Sequence, residues 1–174
     1  MWMYKQNAGG DWMNMTHYME LLAVNQPWNL ILFMAIPVAL AETIAITELA
    51  ILFTRRFDGM IRKVNKICSI IVGIYFLGIF IYLLVSAVIP FTLNGEWRGW
   101  IDIIAVGFYL VGVIPLLGLS LIDLGIIGRR WSEEQKLKYH STFVGIFLVV
   151  AHIAMIFGML DPSIGGDHSH HMHM

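Results

Sequence analysis

Four long apolar segments, separated by short polar connections, constrain this sequence more than any other feature. They cover residues 28–53, 67–90, 101–127 and 142–160. Each is close to or above the roughly 18 apolar residues that suffice for a helix to span a bilayer. Because 58% of the 174 residues are hydrophobic, little of the chain is left for a soluble domain. The sequence therefore predicts an all-α integral membrane protein, a single membrane domain with four transmembrane helices in an up-and-down bundle.

The basic residues predict how these helices are oriented. The loops after the first and third segments contain nine of the eleven Lys and Arg residues. They are Arg55, Arg56, Arg62, Lys63, Lys66, Arg129, Arg130, Lys136 and Lys138. Because cytoplasmic loops carry an excess of Lys and Arg near the helix ends, both termini are expected outside. We expect a multi-pass protein of a bacterial inner (plasma) membrane, with segments 1–27 and 161–174 periplasmic or extracellular.

The charge also narrows the range of partners. A net charge of −1 leaves no basic surface beyond the residues that topology already explains, which argues against nucleic acid. Membrane lipid and a metal ion are the partners that the sequence favours. Four helices make a thin bundle, so a homodimer or a partner membrane protein is also compatible with the sequence.

Methionine and histidine are concentrated in the outward segments. Short His-rich tracts are typical of metal binding, and thioethers favour Cu(I) over harder cations. The residues that predict metal capture on the outer face are Met13, Met15, His17, His168, His170, His171 and His173.

Two ionisable residues are predicted deep inside the membrane. An ionisable side chain at mid-bilayer costs about 2.5–3.5 kcal/mol on insertion scales, so each is a functional candidate. With a rise of about 1.5 Å per residue, Glu42 of the first helix and His152 of the fourth lie at similar depth. The first and fourth helices are neighbours in an up-and-down bundle. We therefore predict that Glu42 and His152 meet, either as a functional site or as a hydrogen-bonded pair that fixes helix registry.

Three methionines extend this pair towards the outer surface. Met155 and Met159 follow His152 on one stripe of the fourth helix, and Met34 lies about two turns outward of Glu42. The sequence predicts a ladder of soft ligands from the outer surface to mid-membrane. The Met-x-x-x-Met spacing, together with the outward Met and His clusters, resembles the ligand scheme of eukaryotic high-affinity copper transporters. Those proteins have three membrane helices and carry a Cys and His motif on the inside, so the resemblance covers only these few residues.

Further ionisable residues are predicted near the two membrane surfaces. Glu48, Asp123 and His140 fall within about two turns of the inner surface and can continue the path as an inner relay. Alternatively these groups reach water near the headgroups, and Asp123 pairs with Arg129, Arg130 or a helix-end lysine. Asp102 is at the outer surface and is expected to cap the third helix.

The prolines predict irregular helices. Pro37 and Pro115 are expected to kink the first and third helices, because each removes an intrahelical hydrogen bond. The carbonyl that each one frees must then be satisfied by neighbours or water. Pro90 is expected to end the second helix.

These observations favour a metal-binding membrane protein that handles copper, as Cu(I), on the periplasmic side for transport, delivery or sensing. One alternative is a b-type haem protein that exchanges electrons with quinone, although His140 and His152 are too far apart along one helix to ligate one haem. A second is a metalloenzyme with His152, Glu42 and His17 around a metal near the outer face. An accessory subunit without a site of its own is a third.

Overall fold

All regular secondary structure in the computed structural model, which describes residues 15–165, is helical. A short helix, α1, covers His17–Ala23. Four longer helices follow, and each is long and apolar enough to cross a membrane. They are α2 (Trp28–Thr54), α3 (Met60–Asn94), α4 (Trp100–Asp123) and α5 (Glu133–Met159). This confirms the prediction of an all-helical chain with four such helices, and a 3-10 turn at Pro162–Gly165 ends the described part.

The ends of these helices differ from those of the apolar segments. Helix α3 begins before residue 67, and α5 begins before residue 142, because each starts with a polar turn that hydropathy does not detect. The start of α5 is fixed by a capping box. The Ser132 hydroxyl accepts from the Gln135 backbone N–H, and the Gln135 side chain accepts from the Ser132 N–H. Helix α4 ends at Asp123, so residues 124–127 lie outside it.

The helices are irregular near all three prolines. Pro37 and Pro90 follow closely after π-helical segments, Ile31–Ala35 and Leu84–Val88. Pro90 does not end its helix as expected, since α3 continues to Asn94 and ends at Gly95 with a left-handed φ of 68°. A π turn lets the chain pass proline, whose ring crowds the carbonyl four residues earlier. In α4 the helix is interrupted at Gly112, within one turn of Pro115.

Two tyrosine hydroxyls satisfy the carbonyls that the Pro37 region leaves free. Pro37 has no N–H to donate to Phe33 O, and the Tyr109 hydroxyl donates to it instead at 2.6 Å. The Ile36 N–H donates to Ile31 O, as in a π turn, which leaves Leu32 O free. The Tyr75 hydroxyl donates to Leu32 O at 2.8 Å. Both tyrosines belong to neighbouring helices, so these bonds fix α2 against α3 and α4.

The long helices pack around one apolar core. Helix α3 packs against α2 and α4, and α5 packs against α4 and α2. The closest approach is at Gly73 of α3, where a Cβ would lie 1.9 Å from Ser120 Oγ of α4. The Ser120 hydroxyl donates to Ser69 O at 2.7 Å across this contact. Small residues allow such close approach between membrane helices.

Helix α1 is attached to the ends of α4 and α5. The Thr16 hydroxyl donates to Gly158 O at 2.7 Å, and the Tyr18 ring packs against the same glycine. Tyr18 also packs against Tyr109, with ring centroids 5.1 Å apart. An ion pair between Arg98 and Glu20 and a hydrogen bond between His17 and Asp102, described below, add to these contacts. Helix α1 is therefore part of the packed fold.

Candidate functional site

A cavity of about 230 Å³ is lined by four of the residues predicted to bind metal. Met34 and Glu42 come from α2, and His152 and Met155 come from α5. Tyr18 of α1 also lines it, and the remaining lining residues are almost all apolar or aromatic. Glu42 and His152 are both exposed, so the cavity is partly open between the two helices.

Glu42 and His152, which were predicted to meet, line the same cavity, but no hydrogen bond joins the two side chains in the described structure. His152 instead places its Nδ1 2.6 Å from the Leu148 carbonyl oxygen of its own helix. A carbonyl oxygen can only accept, so Nδ1 carries the proton and donates. In the neutral ring this leaves the lone pair on Nε2, the form in which imidazole binds a metal. The two residues share a cavity without pairing.

Only two of the three methionines of the predicted ladder line the cavity. Met34 is half-buried and Met155 is 37% exposed, and both line the cavity. Met159 is 71% exposed and does not line it. Within residues 15–165, no group of three or more His, Cys, Asp or Glu residues is arranged to hold a metal ion. Because the cavity supplies one imidazole and one carboxylate, a metal bound there would depend on the two thioethers.

A second cluster of ionisable residues lies where α1 meets the start of α4. Asp102 is fully buried and accepts from the His17 backbone N–H at 2.7 Å. Its other oxygen lies 2.5 Å from Nδ1 of the His17 ring. It also accepts weakly from the Arg98 N–H at 3.4 Å, but Arg98 precedes the N-cap residue Gly99, so the expected capping of α4 by Asp102 is not found. With Nδ1 directed to Asp102, only Nε2 of His17 remains for another partner.

The partners of His17 were not predictable from the sequence. Arg98 contacts both Glu20 and the carbonyl oxygen of Met15, and His17 packs against Phe91 with ring centroids 4.1 Å apart. The position of Asp102 at the very start of an apolar segment was the one signal that this carboxylate is buried. Burying it requires a partner, but the sequence does not say which one.

A third cluster joins all four long helices at their other end. His140 of α5 is fully buried and lies between two carboxylates. Its Nδ1 is 3.1 Å from Glu48 of α2, and its Nε2 is 3.4 Å from Asp123 of α4. Asp123 in turn lies 3.4 Å from Arg62 of α3. The three residues of the predicted inner relay are therefore brought together, and Asp123 pairs with Arg62.

The cluster around His140 is only partly hydrogen-bonded. The Nε2 atom of His140 and the Oδ2 atom of Asp123 are close, but neither has a hydrogen-bond partner among the described residues. We therefore describe their 3.4 Å approach as an electrostatic contact. Asn65 completes the cluster: it accepts from Arg62 at 3.1 Å and donates to Ile44 O and to the Thr47 hydroxyl.

Several predicted metal ligands lie outside the described residues. They are Met13, His168, His170, His171 and His173. Met15 is described and half-buried, and its carbonyl is the group that contacts Arg98. The last described turn, Pro162–Gly165, approaches the cluster around His17 and Asp102, since a Cβ on Gly99 would lie 3.2 Å from Pro162 O.

The described chain is thus an all-helical protein with four helices apolar enough to span a membrane and with ionisable clusters at both ends. The chain belongs to the Family of unknown function (DUF6803), which it matches over residues 13–174. Comparisons with curated proteins and with solved structures give no match.

Proposed function

We propose that the four long helices cross a bacterial inner membrane as an up-and-down bundle with both termini outside. Contacts between helix ends support this arrangement. The end of α2 meets the start of α5 through Glu48 and His140, and the end of α4 meets the start of α3 through Asp123 and Arg62. The loops at that end carry most of the basic residues, which favours the cytoplasmic side.

Within this topology we propose that the protein binds Cu(I) between α2 and α5, for transport, delivery or sensing. One observation carries the proposal: Met34, Glu42, His152 and Met155 line a single cavity. Thioethers and imidazole are ligands that copper accepts. The carboxylate of Glu42 supplies the negative charge that a cation needs in a medium of low dielectric constant.

The free nitrogen of His152 supports the same proposal. Its Nδ1–H is held by Leu148 O, and such a bond from the second ring nitrogen is the usual way in which a metal-ligating histidine is oriented. His17 is oriented in the same way by Asp102 at the outer surface. We propose that His17 and the tail histidines capture the ion and that the cavity receives it by ligand exchange.

Copper content tests the cavity directly. Full-length protein with His168, His170, His171 and His173 replaced by serine is purified after growth with copper, and copper per chain is measured by elemental analysis. Met155→Leu and His152→Ala should remove most of the bound copper. Met159→Leu is the matched control, because it replaces a methionine of the same helix that does not line the cavity. Equal copper in all variants would refute a site in this cavity.

The geometry gives less support to a haem site. Both ring nitrogens of His140 face carboxylates, so His140 is poorly placed to be an axial ligand. Among the histidines of residues 15–165, His152 and His17 then remain as possible haem ligands, and a Soret band in the purified protein would show a bound haem.

A further inference from the structure

A second and larger cavity lies at the other end of α2 and α5, away from the proposed copper site. It is a groove of about 640 Å³ between the end of α2 and the start of α5. Its apolar wall includes Ile51, Leu52 and Leu137. Its polar part includes Arg55, Lys138 and Ser141. The groove is therefore amphipathic, with charge and apolar surface side by side.

The two cations of this groove are not neutralised by the described protein. Arg55 and Lys138 are both exposed, and neither side chain forms an ion pair with a carboxylate within residues 15–165. Glu134 also lines the groove, so its three charged side chains sum to +1. An anion bound between Arg55 and Lys138 would be attracted by two charges.

An unpaired hydroxyl in the groove is a second, independent sign of a ligand. The Oγ atom of Ser141 is buried and has no hydrogen-bond partner among the described residues. Its neighbour Thr142, by contrast, donates to Lys138 O at 2.9 Å. Buried polar atoms in folded proteins are nearly always hydrogen-bonded. Because Ser141 lines the groove, rotation about its Cα–Cβ bond would bring this hydroxyl to a ligand with acceptor oxygens.

We propose that this groove binds the phosphate of an anionic phospholipid from the inner leaflet. Arg55 and Lys138 bind the phosphate, the Ser141 hydroxyl donates to one of its oxygens, and an acyl chain follows Ile51 and Leu52. Basic pockets between membrane helices on the cytoplasmic side are suited to lipid headgroups. Leu52 is 50% exposed, so the apolar wall continues onto the outer surface of the helices. The inference rests on the proposed topology and is independent of copper.

Native mass spectrometry of the full-length protein with added phosphatidylglycerol or phosphatidylcholine tests the proposal. Phosphatidylglycerol should remain bound, and phosphatidylcholine should bind much more weakly. The double variant Arg55→Gln/Lys138→Gln should weaken phosphatidylglycerol binding on the order of tenfold, because each basic residue near the surface contributes to the attraction. Ser141→Ala should weaken it roughly threefold through loss of one hydrogen bond.

A matched control separates a site from general attraction to a basic surface. Arg56→Gln/Lys63→Gln removes the same charge from two exposed residues, one just after α2 and one in the first turn of α3, and neither lines the groove. This variant should bind phosphatidylglycerol like the unmodified protein. Equal losses in the two double variants, or equal binding of both lipids, would overturn the proposal.

Inorganic phosphate distinguishes a lipid from a soluble anion. It offers the same kind of anionic oxygens but has no acyl chain to occupy the apolar wall. At the same concentration it should fail to displace phosphatidylglycerol. Displacement would identify the ligand as a free phosphate and would overturn the assignment to a lipid.

Discussion

Asp102 accepts hydrogen bonds from both the backbone N–H and the ring of His17, which precedes it by 85 positions in the chain. Asp102 is fully buried, and the side chain of His17 is 13% exposed. This pair, with the bond from Thr16 to Gly158 O, holds α1 against α4 and α5. Tyr18, which lines the cavity between α2 and α5, is thereby kept in place.

Asp102→Asn should loosen α1. The substitution keeps the shape of the side chain but turns one acceptor oxygen into an N–H₂ group that faces a donor. We expect a loss of about 1–3 kcal/mol in stability, the cost of an unsatisfied buried group. Thermal unfolding in detergent measures it. Asp58→Asn, at an exposed loop position, is the control and should have no effect; equal melting temperatures for both variants would contradict the role of the pair.

The attachment of α1 should weaken at high pH. Burial raises the pKa of Tyr18 to about 12, compared with about 10 for an exposed tyrosine. The buried neutral form therefore contributes stability that is fully present below pH about 10 and is lost as the pH rises through about 12. The shift corresponds to about 3 kcal/mol at most. The ultraviolet absorbance of tyrosinate, compared between the protein and Tyr18→Phe, should isolate a component near pH 12; a component near pH 10 would show that Tyr18 is solvated.

Glu48 and His140 should be energetically coupled. Removing one partner of a buried hydrogen bond leaves the other unsatisfied and costs about 1–3 kcal/mol, whereas replacing both by apolar residues costs less. We therefore expect Glu48→Leu/His140→Leu to be more stable than either single variant. Chemical denaturation in detergent completes this double-mutant cycle. Strictly additive effects would mean that the 3.1 Å contact contributes little.

Tyr109→Phe should destabilise the outer part of α2. The variant removes the donor that satisfies Phe33 O, the carbonyl left free by Pro37. An unsatisfied carbonyl costs about 1–3 kcal/mol, so the melting temperature should fall. Tyr82→Phe removes the same hydroxyl from a tyrosine that is 47% exposed and should change little. A similar shift for both variants would show that the hydroxyl of Tyr109 is not specifically required.

The proposed orientation predicts a pattern of chemical labelling. In a Cys68→Ser background, Glu96→Cys and Asp58→Cys each place one thiol in an exposed loop at opposite ends of α3. A membrane-impermeant maleimide should label Glu96→Cys in intact cells. It should label Asp58→Cys only after the membrane is disrupted. The reverse pattern would invert the topology.

The sequence was sufficient for the helices because each contains an apolar run long enough to be recognised by composition alone. It was insufficient for the polar first turns of α3 and α5, which depend on capping and on contacts such as Arg62 with Asp123. Depth along a helix also placed Glu42 and His152 beside one cavity. Depth does not specify the direction in which a side chain leaves the helix. The sequence therefore did not show that His152 bonds to the Leu148 carbonyl and not to Glu42.

The outer cluster was missed for a different reason. The partnership of His17 with Asp102 depends on how α1 folds back onto α4, and no periodicity in either segment encodes that contact. The inner cluster was easier to anticipate, because Glu48, Asp123 and His140 share a depth near the same helix ends. In the sequence Arg62 indicates only the topology, and in the structure it also pairs with Asp123.

The π-helical segments of α2 and α3 change the phase of both helices. Each wide turn accommodates one extra residue, so the outer part of the helix is rotated by about 100° relative to an uninterrupted α-helix. Residues on the two sides of Ile31–Ala35 therefore share faces that regular periodicity would separate. In an alignment of family members, a one-residue gap inside Ile31–Ala35 or Leu84–Val88 would mark a turn restored to α geometry. The residues before such a gap could be unchanged in sequence and yet contact different residues of the neighbouring helices.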